Sequence, residues 1–298
     1  DGEGRHLIDV LPSDRHRQRL LLQPLPLAGR AGAGVVSSLQ YSLRLQELIL
    51  GIFAVSIGTV ILPDMSGLAK SRQWDAFNRL LTQALKIIAL ISIPITFFSL
   101  VTGREIISLV YKSRSFDDQS VALTMSAFRY HIAGLFFIAL NRIIAPAFYA
   151  QGNTKSPTLA GIIGFGVNIP LALILSRLTP GSGAGIALAL SAASAVNTLV
   201  LFVFLGRTGA ENVGRVVGSI LLYALKMALY SLLAAAVAYF VRRAVLPAFS
   251  SYGRLLAYGC PLLLCFLAFA ATGILLLVIT RDSMLTLAVG MVKRKLGR

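Results

Sequence analysis

Arg44, Glu47 and Arg129 are charged side chains that sit within or at the lip of long apolar stretches. A charge centred in a lipid-embedded helix costs about 2.5–3.5 kcal/mol, so such residues tend to face a cavity and to mark a substrate path. Arg44 opens the apolar run Tyr41–Pro63. Its planar guanidinium can grip a phosphate or diphosphate through two parallel hydrogen bonds, which the ammonium of lysine cannot match. The alternative is an arginine that snorkels to the interface. Glu47 follows three residues later on the same helical face, placed to orient or pair with Arg44, or else to meet water as a helix-end charge. Arg129 and His131 share an apolar run but are two apart and face different ways. Arg129 is the candidate for lining a central cavity, and Arg142, near the other end of that run, reads as an interface anchor. The chemistry this set offers is retention of an anionic group.

The remaining polar residues point away from bond-making. Asn168 and Asn197 are amides inside apolar runs, where the ordinary role is a helix–helix hydrogen bond worth about 1 kcal/mol. Cys260 and Cys265 are five apart, share no helical face, and read as small hydrophobes with neither a disulfide nor a metal. His6, His16 and His131 are scattered. The sequence holds no Walker, nucleophile-elbow or HExxH motif. Asp117-Asp118 is the only adjacent acidic pair, too little for the Mg²⁺ clusters of enzymes that act on prenyl diphosphates. No catalytic residue, metal site or cofactor is expected, and the chain is not expected to be an enzyme. The small residues of Gly181–Ala195 suit close helix packing.

The elements that must carry these residues are membrane helices. Of 298 residues, 56% are hydrophobic and 13% charged, with a mean hydropathy of +0.77. Soluble domains carry about 25% charge, so lipid is the solvent here. The net charge of +16 is spread between apolar runs and not gathered in one stripe. That fits the positive-inside bias and anionic headgroups, and argues against nucleic acid. A bilayer core needs about 20 apolar residues in helix. Leu255–Thr280, Leu178–Gly206 and Ser156–Ser176 are uncharged, Val216–Val241 carries only Lys226, and Ile87–Gly103 contains Pro94. With Tyr41–Pro63 and Val121–Ala150, these runs predict an all-α integral membrane protein of about seven spans, at 41–63, 84–103, 121–150, 156–176, 182–206, 216–241 and 255–280. The runs exceed strand length and do not alternate, which excludes a β-barrel. Met65–Leu81 and Glu105–Gln119 mix aromatic, aliphatic and charged residues and read either as interfacial amphipathic segments or as polar loops. Connectors holding Lys70, Arg72 and Arg79, Lys155, Arg207 and Arg215, and the C-terminal Lys293-Arg294-Lys295 are the more basic set. They predict a cytoplasmic C-terminus, with Arg242-Arg243 against the trend. Residues 1–34 are rich in Arg, Pro and Gly and read as a disordered or non-native segment ahead of a 35–298 lobe.

Four strings resemble the MurJ/MviN family of lipid II flippases, within the multidrug/oligosaccharidyl-lipid/polysaccharide (MOP) exporter superfamily. Ser37–Leu45, Gly51–Pro63, Phe116-Asp117 and Ala147–Pro157 look like family segments, in family order. The resemblance runs from about Val35 to the C-terminus and implies the second of two pseudo-symmetric lobes of a MOP/MATE-like transporter. It implies that Arg44 is the lipid-II-binding arginine of its helix, although Leu43 stands where the family often has Asp or Asn. Some members bind Na⁺ through an asparagine at the place of Asn168, but the acidic partner one turn on falls at Ala172, which cannot ligate. The implied function is alternating-access transport of undecaprenyl-diphosphate-linked peptidoglycan precursor across the bacterial inner membrane. The head would lie in a polar cavity and the tail in a groove of the last two helices, with coupling to Na⁺ or membrane potential. The implied partners are lipid II, membrane lipids and an N-terminal lobe. The rival readings are another MOP-type exporter, of drugs or polysaccharide lipids, and a non-transporting membrane scaffold.

Overall fold

A computed structural model describes residues 34–51, 56–179, 182–207, 213–249 and 251–286, with side chains described outside 56–60. The expected N-terminal disordered segment and the C-terminal basic cluster therefore lie outside the described residues. The described chain is helical: α1 Val35–Leu50, α2 Ser56–Lys70, α3 Trp74–Tyr111, α4 Asp118–Ala133, α5 Leu135–Ala150, α6 Lys155–Leu178, α7 Ala184–Arg207, α8 Val213–Phe249 and α9 Cys260–Ile279, the last preceded by a π-turn at Leu255–Gly259.

Five helices are long and apolar enough to span a membrane, counting α9 with its π-turn. They become six if α4 and α5, bent by 45°, form one span. The bend falls at Gly134, where a Cβ would lie 2.3 Å from Ser191 Oγ on α7. Ser191 also donates to the Tyr130 carbonyl, so the hydroxyl of α7 takes up backbone polarity at the break.

One expectation changes. The run Tyr41–Pro63 is described as α1 and α2, and the expected span over 41–63 lies partly outside the described residues, at 52–55. Met65–Leu81 and Glu105–Gln119 are for the most part neither interfacial segments nor loops. Trp74–Leu81 and Glu105–Tyr111 extend α3, which at 38 residues measures about 57 Å at 1.5 Å per residue. The helix carries its charged ends because they are paired or wet, as Glu105 shows below. Pro94 within α3 removes one backbone donor. Nearby hydroxyls serve the adjacent carbonyls: Ser92 donates to Ile88 at 2.7 Å, and Thr96 to Ser92 at 2.9 Å and to Ile132 of α4 at 3.3 Å.

The core lies among α3, α4 and α5, where Phe77, Phe128 and Phe148 are fully buried. The small residues at the start of α7 do pack helices: a Cβ on Gly185 would meet the Leu175 carbonyl of α6 at 2.3 Å. Outer faces are apolar, with Ile162, Phe165, Leu263 and Phe266 exposed, as lipid contact requires. Cys260 and Cys265 are free thiols.

The helices give the bundle two ends. α3 and α8 run parallel, and α9 returns antiparallel to both. Lys112, after α3, bonds Tyr258 at 3.0 Å beside the start of α9; this is the far end. Lys226 on α8 bonds Asp282, after α9, at 2.6 Å toward the other, near end.

Candidate functional site

At the far end α3, α4 and α8 enclose a cleft of about 510 Å³, lined by Arg104, Arg129 and Arg242 with Ser126 and Tyr239. The three arginines are not equivalent. Arg242 donates from Nε and Nη2 to Glu105 Oε1, at 2.9 and 2.7 Å, and the Glu105 side chain is only 3% exposed. Arg104 stands 3.7 Å from Asp118, both largely exposed. Arg129 is exposed and forms no ion pair with a described residue. It is the cation left free to meet an anion in this cleft.

Arg44 is placed elsewhere. α1 buries Ser38, Ser42, Leu45 and Gln46, and its polar face is read by α4: Ser42 Oγ bonds His131 Nδ1 at 2.7 Å, and Gln46 donates to the His131 carbonyl. Residues two positions from a contact point turn away from it, so Arg44 and Arg129 both leave the α1–α4 seam. Arg44 and Glu47 share the exposed face of α1 without an ion pair between them. An arginine preceding a glutamate is the less favourable order along a helix. The structure thus sets Arg129 in the far-end cleft, while Arg44 and Glu47 line none of the clefts described here.

Asn168 on α6 and Asn197 on α7 both hold a buried Oδ1 without a hydrogen-bond partner. Asn197 lies over Gly164, whose Cβ would be 3.1 Å from that of Asn197, one turn before Asn168. Neither amide makes the expected helix–helix bond to a described residue. That bond falls instead to Asn141 of α5 and Thr198 of α7, at 2.8 Å.

Below the far-end cleft the α3–α8 seam continues as an apolar groove of about 240 Å³, with α9 as its third wall. Pro94, Phe98, Ala234, Phe266 and Phe269 line it, with Tyr230 and Ser231 its polar side chains among the described residues. Phe98 stacks edge-on against Phe266 and Phe269 at 5.9 and 5.4 Å.

Residues 24–258 match the family model described as "Lipid II flippase MurJ". The chain belongs to that family. It is 41% identical, over 95% of its length, to the probable lipid II flippase MurJ of Treponema pallidum, and covers 54% of that protein. It is 29% identical to the lipid II flippase MurJ of Burkholderia cenocepacia over 61% of its own length and 35% of the relative's. A solved MurJ in an inward closed conformation matches 83% of this chain and 48% of its own, at 25% identity and a TM-score of 0.65. An inward-facing multidrug-resistance MATE transporter of the MOP superfamily shares the fold, at 18% identity and a TM-score of 0.50. The chain spans about half the length of the Treponema relative and of the solved MurJ.

Two polar contacts of this MurJ-family chain escaped the sequence reading. One is the buried Glu105–Arg242 pair. Its signal lies in the acid two residues past the uncharged run Ile87–Gly103 and in the arginine that opposes the charge trend; a buried partner accounts for both. The other is Asp282, buried to 2% of its side chain, which accepts from Lys226, from Tyr223 at 3.1 Å and from the Met284 amide at 2.9 Å. Burial alone would raise the Asp282 pKa, but the bond from Lys226 and the two neutral donors outweigh it and hold the carboxyl below its ordinary range. Lys226, the one charge of the run Val216–Val241, is half of this latch.

Proposed function

We propose that this chain serves as one lobe of a lipid II flippase in the bacterial inner membrane, taking a polyprenyl-diphosphate-linked precursor. The observation that carries the reading is the α3–α8 seam, in which an apolar groove leads into a cleft with a free arginine. A molecule fitting both must pair a long apolar tail with an anionic head, which is the chemistry of an undecaprenyl diphosphate. In this reading Arg129 meets the diphosphate from the cleft, and the tail lies along Phe98, Phe266 and Phe269. Arg44, with Glu47 beside it, meets the head from the exposed face of α1, opposite a further lobe. Family membership supports the reading, since the relatives named above are called lipid II flippases. Two lobes rocking about a shared polar cavity would give alternating access. The role is transport, with no bond made or broken.

Na⁺ coupling has little support in this lobe. Asn168 and Asn197 offer two neutral oxygens, Ala172 supplies no carboxylate, and the described residues hold no group of acids or histidines that could bind a metal. Membrane potential is the coupling we favour, acting on the cationic head sites at about 2.3 kcal/mol per charge per 100 mV. The C-terminus is placed in the cytoplasm, because connectors at the near end are the more basic.

The test is binding by the purified chain in detergent. Lipid II is expected to bind in preference to a cationic dye. Arg129→Ala and Arg44→Ala are each expected to weaken it about tenfold or more, since a hydrogen bond to a charged group is worth about 1.5–3 kcal/mol. Equal binding of dye and lipid, or no loss in either variant, would remove the reading.

A further inference from the structure

The α3–α8 seam ends in a second cleft, of about 460 Å³, at the near end of the bundle. Arg79, Lys86 and Arg215 line it, together with Asp75, Gln83 and Ser219. None of the three cations forms an ion pair with a described residue; the ammonium of Lys86 stands 5.8 Å from the Tyr223 ring centroid. Gln83 and Ser219 make no side-chain hydrogen bond to a described residue.

The depth of this cleft is set by the chain. Lys86 is the last charge before the uncharged run Ile87–Gly103, and Arg104 of the far-end cleft is the first after it. The two residues are about 27 Å apart along α3 at 1.5 Å per residue, close to the roughly 30 Å of bilayer hydrocarbon. Both clefts therefore lie at the planes where lipid phosphates lie. Leu90, one turn on from Lys86, already belongs to the apolar groove.

We infer that the near-end cleft binds an anionic glycerophospholipid with a hydroxylated headgroup, of the phosphatidylglycerol type, from the adjacent leaflet. Arg79, Lys86 and Arg215 hold the phosphodiester, as basic pockets between membrane helices do. Gln83, Ser219 and the Asp75 carboxylate take the glycerol hydroxyls. Asp75 selects among anions: it accepts hydrogen bonds from a glycerol but repels the extra charge of a phosphomonoester or a diphosphate. This assignment does not depend on lipid II being the transported molecule.

The experiment is a native mass spectrometric titration of the purified chain with dioleoyl phosphatidylglycerol, alongside phosphatidylcholine, phosphatidic acid, glycerol phosphate and undecaprenyl diphosphate. Phosphatidylglycerol is expected to bind one site at least tenfold more tightly than phosphatidylcholine, and glycerol phosphate is expected not to compete. Arg79→Gln/Lys86→Gln/Arg215→Gln should weaken it at least tenfold while circular dichroism shows unchanged helix. Asp75→Asn, a milder change, should preserve binding and erase the preference over phosphatidic acid. Arg177→Gln, on another helix, should change nothing. The assignment is overturned by equal binding of phosphatidylcholine, by unchanged binding in the triple variant, by an Asp75→Asn chain that keeps its preference, by glycerol phosphate matching the lipid (a soluble-phosphate site), or by undecaprenyl diphosphate displacing the lipid at equal concentration (a substrate site).

Discussion

A carboxylate buried in a membrane bundle survives only with its partner, and among the described residues Glu105 has Arg242 alone. Its second oxygen is buried and unpartnered, so truncating the arginine strands a charge. Removing one member of a buried pair costs about 3–5 kcal/mol, whereas replacing both by apolar residues is often neutral. Arg242→Ala is thus expected to lower detergent-solubilised stability by about 3 kcal/mol, and Glu105→Leu/Arg242→Met to recover most of it, as read by thermal unfolding. A double variant no more stable than the single one would show that the pair does not carry the contact. Asp282 obeys the opposite pH logic from a group with a raised pKa. Its folded pKa is depressed, so its stabilisation is full above the ordinary carboxylate value and is lost as pH falls through the lower folded value. Hydrogen exchange of residues 280–286 should stay slow at pH 7, quicken below about pH 4, and be fast at neutral pH in Asp282→Asn. At this scale the sequence was partly legible. Arg129, marked by its charge in an apolar run as lining a central cavity, lines the cleft at the far end, and its grip on an anion there is a proposal. The partner of Arg242, 137 positions away, follows from no local pattern, because helix pairing is decided by packing rather than spacing.

Helices were legible because lipid forces backbone groups to bond within their own segment, so apolar length alone located α6, α7 and α9. What length cannot report is where a helix breaks or runs on past the membrane. The 38-residue reach of α3 falls there. Nor did composition mark Gly134 as a bend, because its reason lies across the bundle in Ser191. A Cβ at this glycine would fall 2.6 Å from the Ser191 Cβ and 2.9 Å from its Cα, and backbone gives way less readily than a side-chain tip. Gly134→Ala should therefore cost about 1–3 kcal/mol, the range for overpacking, or straighten the 45° bend. Gly161→Ala on α6 is its control: nothing lies within 4 Å of the new methyl, so alanine should stabilise that helix by up to about 1 kcal/mol. Unfolding both in one detergent compares them directly. Equal effects would mean that contact with α7 does not fix the bend.

Across the molecule the seam joins chemistry to topology: two phosphate-compatible clefts, one hydrocarbon thickness apart, with an apolar groove between them. That geometry demands that the α3 ends lie in opposite aqueous phases, and the chain offers exposed serines to report it. Ser71 precedes α3 at the near end, while Ser113 follows it at the far end and Ser251 lies between α8 and α9. With Cys260 and Cys265 replaced by alanine, single cysteines at these positions make an orientation test. If the near end is cytoplasmic, as the basic connectors argue, Ser71→Cys should react with a membrane-impermeant maleimide only in inverted vesicles. Ser113→Cys and Ser251→Cys should react from the outside of spheroplasts. The three sites also constrain each other, since α3 separates 71 from 113, while the parallel α8 and antiparallel α9 return 251 to the side of 113. Labelling of 113 and 251 from opposite sides would contradict the parallel α3–α8 arrangement itself, and with it the seam. Labelling of all three with sides exchanged would keep the seam, invert the orientation, and place the Arg79–Lys86–Arg215 cleft in the outer leaflet.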